Sequence, residues 1–291
     1  MMQYTLMRFF ASLLYRLPWR ALRVMASFMG GVFWYAATVR RTEAIQAVEK
    51  HLKVPHEEAA CIARQSFTEN FLSFLEIFHA GKSFTDQSAL IVHTPESKAA
   101  ILAETAPIVI ATAHIGSWEK MPGLAADALS GRKCMVVVRR QKNRNLNRLM
   151  AELRGARGML IVDHRKASDI VLPGLRAGSV AAFLVDHNTS RKEAVFLPFF
   201  EDIAAVNVGP ASLALRTKAA VYPVFVIRDG KGGHILHIFP PLHTATLEGS
   251  VKERVRAIAA FYTDAVAEMV RCYPEQWFWM HRRWKTREKK E

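Results

Sequence analysis

The feature that most constrains the fold of this chain is an alternation of short apolar runs with longer helix-like segments, beginning near residue 89. Short β-rich apolar runs indicate buried strands, and apolar residues at three- and four-residue steps indicate helices. The predicted strands are residues 89–93, 108–112, 135–138, 159–162, 181–185, 221–227 and 235–239. The predicted helices are residues 42–52, 56–80, 118–129, 146–153, 167–176, 210–217 and 251–272. This alternation predicts an α/β fold with a mixed, mostly parallel sheet flanked by helices.

The amino-terminal part of the chain is apolar and aromatic, and arginines interrupt it. Its longest uncharged run, residues 24–39, is shorter than the ~20 residues that a perpendicular membrane-spanning helix needs. Flanking arginines and terminal aromatic residues are typical of a helix that lies in a membrane interface. We therefore expect residues 1–40 to form a hydrophobic membrane-anchoring helix, and residues 41–291 to form the functional domain. The alternatives are a helix folded onto the core and a short tilted span.

The charge of the chain favours an anionic partner. Lysine and arginine number 40 against 26 acidic residues, a formal net charge of +14. Acidic lipid, nucleic acid, a phosphorylated substrate and an acidic carrier protein all fit this charge. A hydrophobic content of 51% with 17 phenylalanines favours lipid over nucleic acid. Three cysteines without metal-ligand spacing are interpreted as reduced core residues.

The turn after the predicted strand at residues 108–112 carries the most informative side chains. It contains His114, Gly116, Ser117 and Glu119, and ligands of α/β proteins usually bind at the carboxyl ends of strands. With Gly116 breaking the turn, we expect Glu119 to hydrogen-bond His114. The pair would act as a general base and its orienting carboxylate. The alternative is a satisfied core histidine close to an unrelated carboxylate.

Four segments of the sequence, taken in order, resemble the sequence blocks of one enzyme family. Residues 114–119 fit the H-x4-D/E motif of the glycerolipid acyltransferase superfamily. Residues 138–154, which contain Arg139 and Arg154, residues 184–217, which contain Asp186, and residues 273–285 are similar to later blocks. Together they resemble the bacterial lipid A late acyltransferases over nearly the whole chain.

This resemblance implies a glycerolipid-acyltransferase-like fold in residues 41–291 and transfer of a fatty acyl group from an acyl thioester. The donor would be acyl carrier protein or coenzyme A, and the acceptor a hydroxyl of an anionic lipid A precursor glycolipid. The reaction would take place at the cytoplasmic face of the inner membrane, without a cofactor and without nucleic acid. A metal is unnecessary because no ligand cluster accompanies His114. Relatives in the family acylate phosphatidylinositol mannosides instead.

Arginines are the natural donors to an oxyanion or a phosphate, because their N–H groups form a planar fork. The candidates are Arg139, Arg140, Arg154 and Arg157. The position in the family favours Arg154, with Asp186 holding an arginine or a substrate hydroxyl. For the arginines at residues 140, 144 and 148, a solvated helix face or a docking surface for a carrier protein is the better interpretation.

Two features leave alternatives open. Trp277, Trp279 and Trp284 among basic residues suit either a lipid headgroup layer or the closing of the core. Ser117, Glu201 and residues 206–207 depart from the family pattern, so the resemblance does not fix the acceptor. The rival from another class is a basic membrane-binding or nucleic-acid-binding protein without catalysis.

Overall fold

The polypeptide alternates helices and strands from residue 90 onward in a computed structural model that describes residues 2–82, 90–92 and 94–289. The helices are α1 Met2–Arg16, α2 Trp19–Ala36, α3 Thr38–Leu52, α4 His56–Glu76, α5 Pro95–Ala103, α6 Met121–Ala128, α7 Arg144–Gly155, α8 Ala167–Arg176, α9 Gly209–Thr217 and α10 Val251–Cys272. The strands are β1 Leu90–Val92, β2 Ile108–Thr112, β3 Cys134–Val138, β4 Leu160–Asp163, β5 Val180–Leu184, β6 Ala194–Phe199, β7 Asp202–Asn207, β8 Ala220–Arg228, β9 His234–Ile238 and β10 Leu242–His243.

The central sheet has the strand order β1-β9-β8-β2-β5-β3-β4, with β10 paired to β8. Its pairs are parallel except β8 with β9 and β8 with β10. The prediction of a mixed, mostly parallel sheet flanked by helices is confirmed. Each of the seven predicted strands matches an observed one to within a residue or two, although residues 89 and 93 lie outside the described residues.

Strand β2 lies in the middle of this sheet and is buried on both faces. Ile108 and Ile110 belong to one apolar core, whereas Val109 and Ala111 belong to the core on the opposite face. A strand covered by helices on both sides needs a continuous apolar run, because neither face meets water. The turn that follows β2 therefore lies near the centre of the sheet's carboxyl edge.

The amino-terminal part forms two helices, α1 and α2, with Pro18 between them, rather than one. The inner face of α2 packs on α4, where Leu22 and Ala26 join Leu72 and Leu75 in a small apolar core. The opposite face exposes large apolar side chains: Val24, Phe28, Val32 and Tyr35. No single helix among the described residues is long and apolar enough to cross a bilayer. Helices α2 and α3 together meet that requirement of length and composition, but they are bent by 98° relative to each other.

Two other parts of the chain differ from the sequence prediction. Residues 194–207 form the antiparallel hairpin β6–β7, for which no strand is predicted. Helix α5 is also absent from the prediction. Among the cysteines, Cys134 is buried, but Cys61 and Cys272 are exposed, so the interpretation of all three as core residues is wrong for two of them.

Candidate active site

Two residues that follow neighbouring parallel strands form the centre of the candidate site. His114 follows β2, and Asp186 follows β5, which pairs with β2 in register from Ile108 with Val180 to Thr112 with Leu184. Because the carboxyl ends of parallel strands meet at one edge of a sheet, the two side chains come together although 72 residues separate them.

Asp186 is fully buried and accepts three hydrogen bonds. Its Oδ1 atom is 2.8 Å from Nδ1 of His114. Its Oδ2 atom accepts from the backbone N–H of His114 and from Nε1 of Trp277, each at 2.9 Å. An ionised carboxylate only accepts hydrogen bonds, so Nδ1 of His114 carries the proton. In the neutral ring the Nε2 atom of His114 then keeps its lone pair, in a side chain that is 26% exposed.

The pair shifts both pKa values in opposite directions. Burial alone would lower the pKa of His114, but the adjacent Asp186 carboxylate raises it above its ordinary value. Burial alone would raise the pKa of Asp186, but the charge and hydrogen bond of His114 hold it well below its usual range. His114 is therefore a stronger base than a free imidazole, and its basicity depends on Asp186.

Glu119 does not orient His114 in the way that the sequence predicts. Its two carboxylate oxygens accept from Nε and Nη2 of Arg154, at 2.8 and 2.5 Å. This bidentate pair is largely buried and joins the 3-10 turn Trp118–Lys120, which precedes α6, to α7. The predicted hydrogen bond from Glu119 to His114 is therefore corrected: the ring is bound by Asp186, and Glu119 binds Arg154. The side-chain partners of Asp186 are His114 and Trp277 rather than an arginine, and a role of Asp186 towards a substrate hydroxyl stays a prediction.

Arg139 lies near these groups but apart from the histidine. It lines a cavity of about 290 Å³ together with Asn147 and Arg154 of α7 and with residues at or just after the ends of β3 and β4, including Arg140, Asp163 and Lys166. Four cationic side chains and one carboxylate give this cavity a positive character, which suits an anionic group. Arg157 is paired elsewhere, with Asp127.

Aromatic rings surround the exposed side of His114. The ring of Trp118 is 5.5 Å from the imidazole and that of Phe278 is 6.0 Å from it. Phe74 of α4 contacts both of these rings and is 41% exposed. The charges of Glu119 and Arg154 act on the pKa of His114, and Arg154 also lines the basic cavity. On another side the histidine contacts the apolar rings of Trp118 and Phe278.

The carboxyl-terminal segment completes the site, which the sequence reasoning missed. The backbone N–H of Phe278 donates to the carbonyl of His114, and that of Gly116 donates to the carbonyl of Gln276. Trp277 is fully buried and Trp279 almost so. Headgroup contact is therefore wrong for these two tryptophans, and they close the core. The similarity of residues 273–285 to a family block was the one sequence signal for this role.

A helix-flanked, mostly parallel sheet with a histidine–carboxylate pair at its carboxyl edge is the architecture of an α/β enzyme. Residues 1–286 match the family model described as bacterial lipid A biosynthesis acyltransferase. The chain belongs to this family.

Several characterised proteins are similar to parts of the chain. It is 32% identical over 139 residues to the lipid A biosynthesis lauroyltransferase of Escherichia coli, a match that covers 46% of this chain and 42% of that protein. It is 26% identical over 180 residues to the phosphatidylinositol mannoside acyltransferase of Mycolicibacterium smegmatis, covering 60% and 56%. The chain thus matches about half the length of these relatives. The crystal structure of the acyltransferase PlsC from Thermotoga maritima is 14% identical, with a TM-score of 0.39, covering 84% of this chain and 97% of that one.

Proposed function

We propose that this protein transfers a fatty acyl group from an acyl thioester to a hydroxyl of a lipid A precursor glycolipid. The observation that carries the proposal is the hydrogen bond of 2.8 Å between His114 and Asp186 at the carboxyl edge of the sheet, next to a basic cavity. Family membership over residues 1–286 supports the same reaction class.

In the proposed reaction, His114 acts as the general base. Its Nε2 atom takes the proton of the acceptor hydroxyl while the oxygen attacks the thioester carbonyl. The tetrahedral intermediate then collapses, the C–S bond breaks, and the thiol leaves with the proton held by His114. Asp186 holds the ring and stabilises the imidazolium that forms. The acyl group passes directly to the acceptor, and no serine or cysteine of the protein is acylated.

The basic cavity and the aromatic surface suit the two ends of such substrates. A phosphate of the acceptor would bind Arg139 and its cationic neighbours, since arginine forms paired hydrogen bonds with phosphate oxygens. Arg154, held by Glu119, would add positive charge to the developing oxyanion. The fatty chain would contact the rings of Trp118, Phe278 and Phe74. The donor would be acyl carrier protein or coenzyme A, both of which are anionic.

Attachment to the cytoplasmic face of the inner membrane is part of the proposal. Helix α2 exposes the apolar side chains of Val24, Phe28 and Val32, and the exposed Arg20 lies at the start of the same helix. An apolar face with cationic residues beside it binds an anionic lipid surface through both contributions. Such attachment would place the His114 site close to a lipid acceptor in the membrane.

The experiment that tests this function uses the purified chain with a radiolabelled acyl thioester and a lipid A precursor. Mass spectrometry of the product should show one added acyl group, and His114→Ala should abolish it. Acyl carrier protein and coenzyme A donors, offered in parallel, identify the donor. If the chain binds anionic lipid or nucleic acid without any turnover, the enzyme hypothesis is rejected in favour of a basic binding protein.

Phosphatidylinositol mannoside is the second candidate acceptor. Its support is the match to the Mycolicibacterium smegmatis enzyme, which covers 60% of this chain, more than the 46% covered by the Escherichia coli lauroyltransferase. The same assay distinguishes the two acceptors, because only the true acceptor gains mass equal to one acyl group.

A further inference from the structure

The turn that carries His114 is pressed against one face of α4, at a set of polar residues that take no part in the proposed reaction. Glu69, Ser73 and Glu76 follow each other at helical spacing and are buried. The hydroxyl of Ser73 lies 2.6 Å from the carbonyl oxygen of Gly116 and 2.9 Å from that of Glu69, and it donates to the nearer carbonyl, that of Gly116. The Oε1 atom of Glu76 accepts from the hydroxyl of Ser117 at 3.2 Å. Two residues of the turn are thus bonded to the helix behind them.

A buried arginine fixes these α4 side chains in turn. Arg228, at the end of β8, donates to Glu69 at 2.9 Å and to Ser73 and Glu76 at 2.6 Å each. Burial would raise the pKa of Glu76, but Arg228 holds it well below the usual range, so Glu76 is ionised. A charged acceptor makes shorter and stronger hydrogen bonds than a neutral one. The cluster therefore offers the turn a rigid surface.

The same turn is fixed on its other sides by backbone contacts. The N–H of Ser117 donates to the carbonyl of Val226 at 2.7 Å, and the carbonyl of His114 accepts from Phe278. The Ser73 bond is what holds the carbonyl of Gly116, two residues from the imidazole. Loss of this bond would let the turn relax around Gly116, whose left-handed φ of +60° already makes it an unusual backbone position.

We propose that Ser73 and Glu76 are positioning residues, which hold the His114 turn on α4 so that the imidazole is aimed at the acceptor hydroxyl. This inference rests on the proposed function, in which His114 is the base. Misplacement of a reacting group by about 1 Å costs on the order of a hundredfold in rate. Positioning of this kind affects the chemical step rather than substrate binding.

Ser73→Ala is the variant that tests the proposal, and Ser66→Ala is its matched control. Ser66 lies on the same helix and is fully buried, but its hydroxyl donates only to the carbonyl of Ala63 within α4. Both variants lose one buried hydroxyl and should lower Tm by a few degrees, with the larger loss in Ser73→Ala, whose hydroxyl also accepts from Arg228. Ser73→Ala should lower kcat at least tenfold with KM changed less than twofold, whereas Ser66→Ala should leave both near the wild-type values.

A second readout does not depend on turnover. The imidazole NMR signals of His114 can be assigned because they are absent from the spectrum of His114→Ala. In Ser73→Ala they should titrate at lower pH than in the wild type, because the bond to Asp186 loosens. Ser117→Ala, which removes the bond to Glu76, should shift this titration in the same direction. An unchanged titration in both variants would overturn the positioning role even if the protein is an active acyltransferase. A shifted titration in a protein without any acyl transfer would instead support the contact and reject the proposed function.

Discussion

Asp186 sets the basicity of His114 and therefore the pH dependence of the proposed reaction. The base must be neutral to accept a proton, and its pKa is raised, so kcat/KM should rise with pH through a value above about 6.5. In Asp186→Asn the carboxylate is lost while burial remains, so the pKa of His114 falls. The acid limb of the pH–rate profile should move to lower pH, and the plateau should drop by about a hundredfold or more.

The control for this prediction removes two charges close to the ring of His114 and leaves Asp186 unchanged. Glu119→Gln combined with Arg154→Gln deletes one negative and one positive charge, so the net charge near His114 is unchanged. The acid limb should stay close to its wild-type position in this double variant. If instead the double variant moves the limb and Asp186→Asn does not, Glu119 rather than Asp186 tunes the base.

The charged residues of the site, His114, Glu119, Arg154 and Asp186, could be selected from the sequence, but their pairing could not. His114 and Glu119 lie five residues apart, which makes them the obvious pair when only local spacing is available. The actual partner, Asp186, is brought to His114 by the register of β5 on β2, a contact across 72 residues. Glu119 pairs with Arg154 because α7 packs near the start of α6, and no periodicity in either segment predicts this packing.

Arg139 gives a prediction about binding rather than chemistry. It lines the basic cavity but makes no contact with His114 or Asp186 among the interactions described above, so Arg139→Gln should remove attraction for the acceptor phosphate. We expect KM for the acceptor to rise about tenfold, with kcat nearly unchanged. Arg176→Gln, an exposed position at the carboxyl end of α8, is the matched control and should change neither constant. A fall in kcat alone would contradict the binding role.

At the level of elements, Gly116 is the position where the His114 turn meets β8. A Cβ atom there would lie 2.2 Å from the carbonyl oxygen of Val226, and the φ of +60° is unfavourable for other residues. Gly116→Ala should therefore lower the free energy of unfolding by about 3 kcal/mol or more. Denaturant unfolding measures this value. Gly131→Ala, where a Cβ meets nothing within 4 Å, should stay within about 1 kcal/mol of the wild type.

The extent of burial explains which strands the sequence predicts and which strands it misses. Strands such as β2 and β8 are buried on both faces, and their continuous apolar runs identify them. The hairpin β6–β7 contains Pro198 and the polar ends Asp202 and Asn207, and only part of it is buried, so its pattern resembles a loop. Its strands are stabilised by pairing with each other, which a window of sequence does not contain.

At the scale of the whole molecule, the amino-terminal helices connect an apolar surface to the site. The inner face of α2 bonds to α4, where Nε1 of Trp19 donates to Glu76 and Arg23 pairs with Glu69. These are the same two glutamates that bind Arg228 behind the His114 turn. The outer face of α2 carries the exposed apolar residues. The inner face of α2 thus packs on the rest of the protein, and we assign its outer face to contact with lipid.

Binding to vesicles should depend on that outer face. Phe28 is 73% exposed, and burying a phenylalanine in an apolar medium is worth about 1.5–3 kcal/mol. Phe28→Asp loses this contribution and adds a charge that anionic lipid repels, so the partition coefficient onto anionic vesicles should fall by more than about tenfold. Val251→Asp, at an exposed apolar position on α10, adds the same charge away from this face and should bind nearly as the wild type does. Co-sedimentation with vesicles of phosphatidylglycerol and phosphatidylethanolamine measures both. Equal binding by the two variants would show that net charge, rather than α2, holds the protein on the membrane.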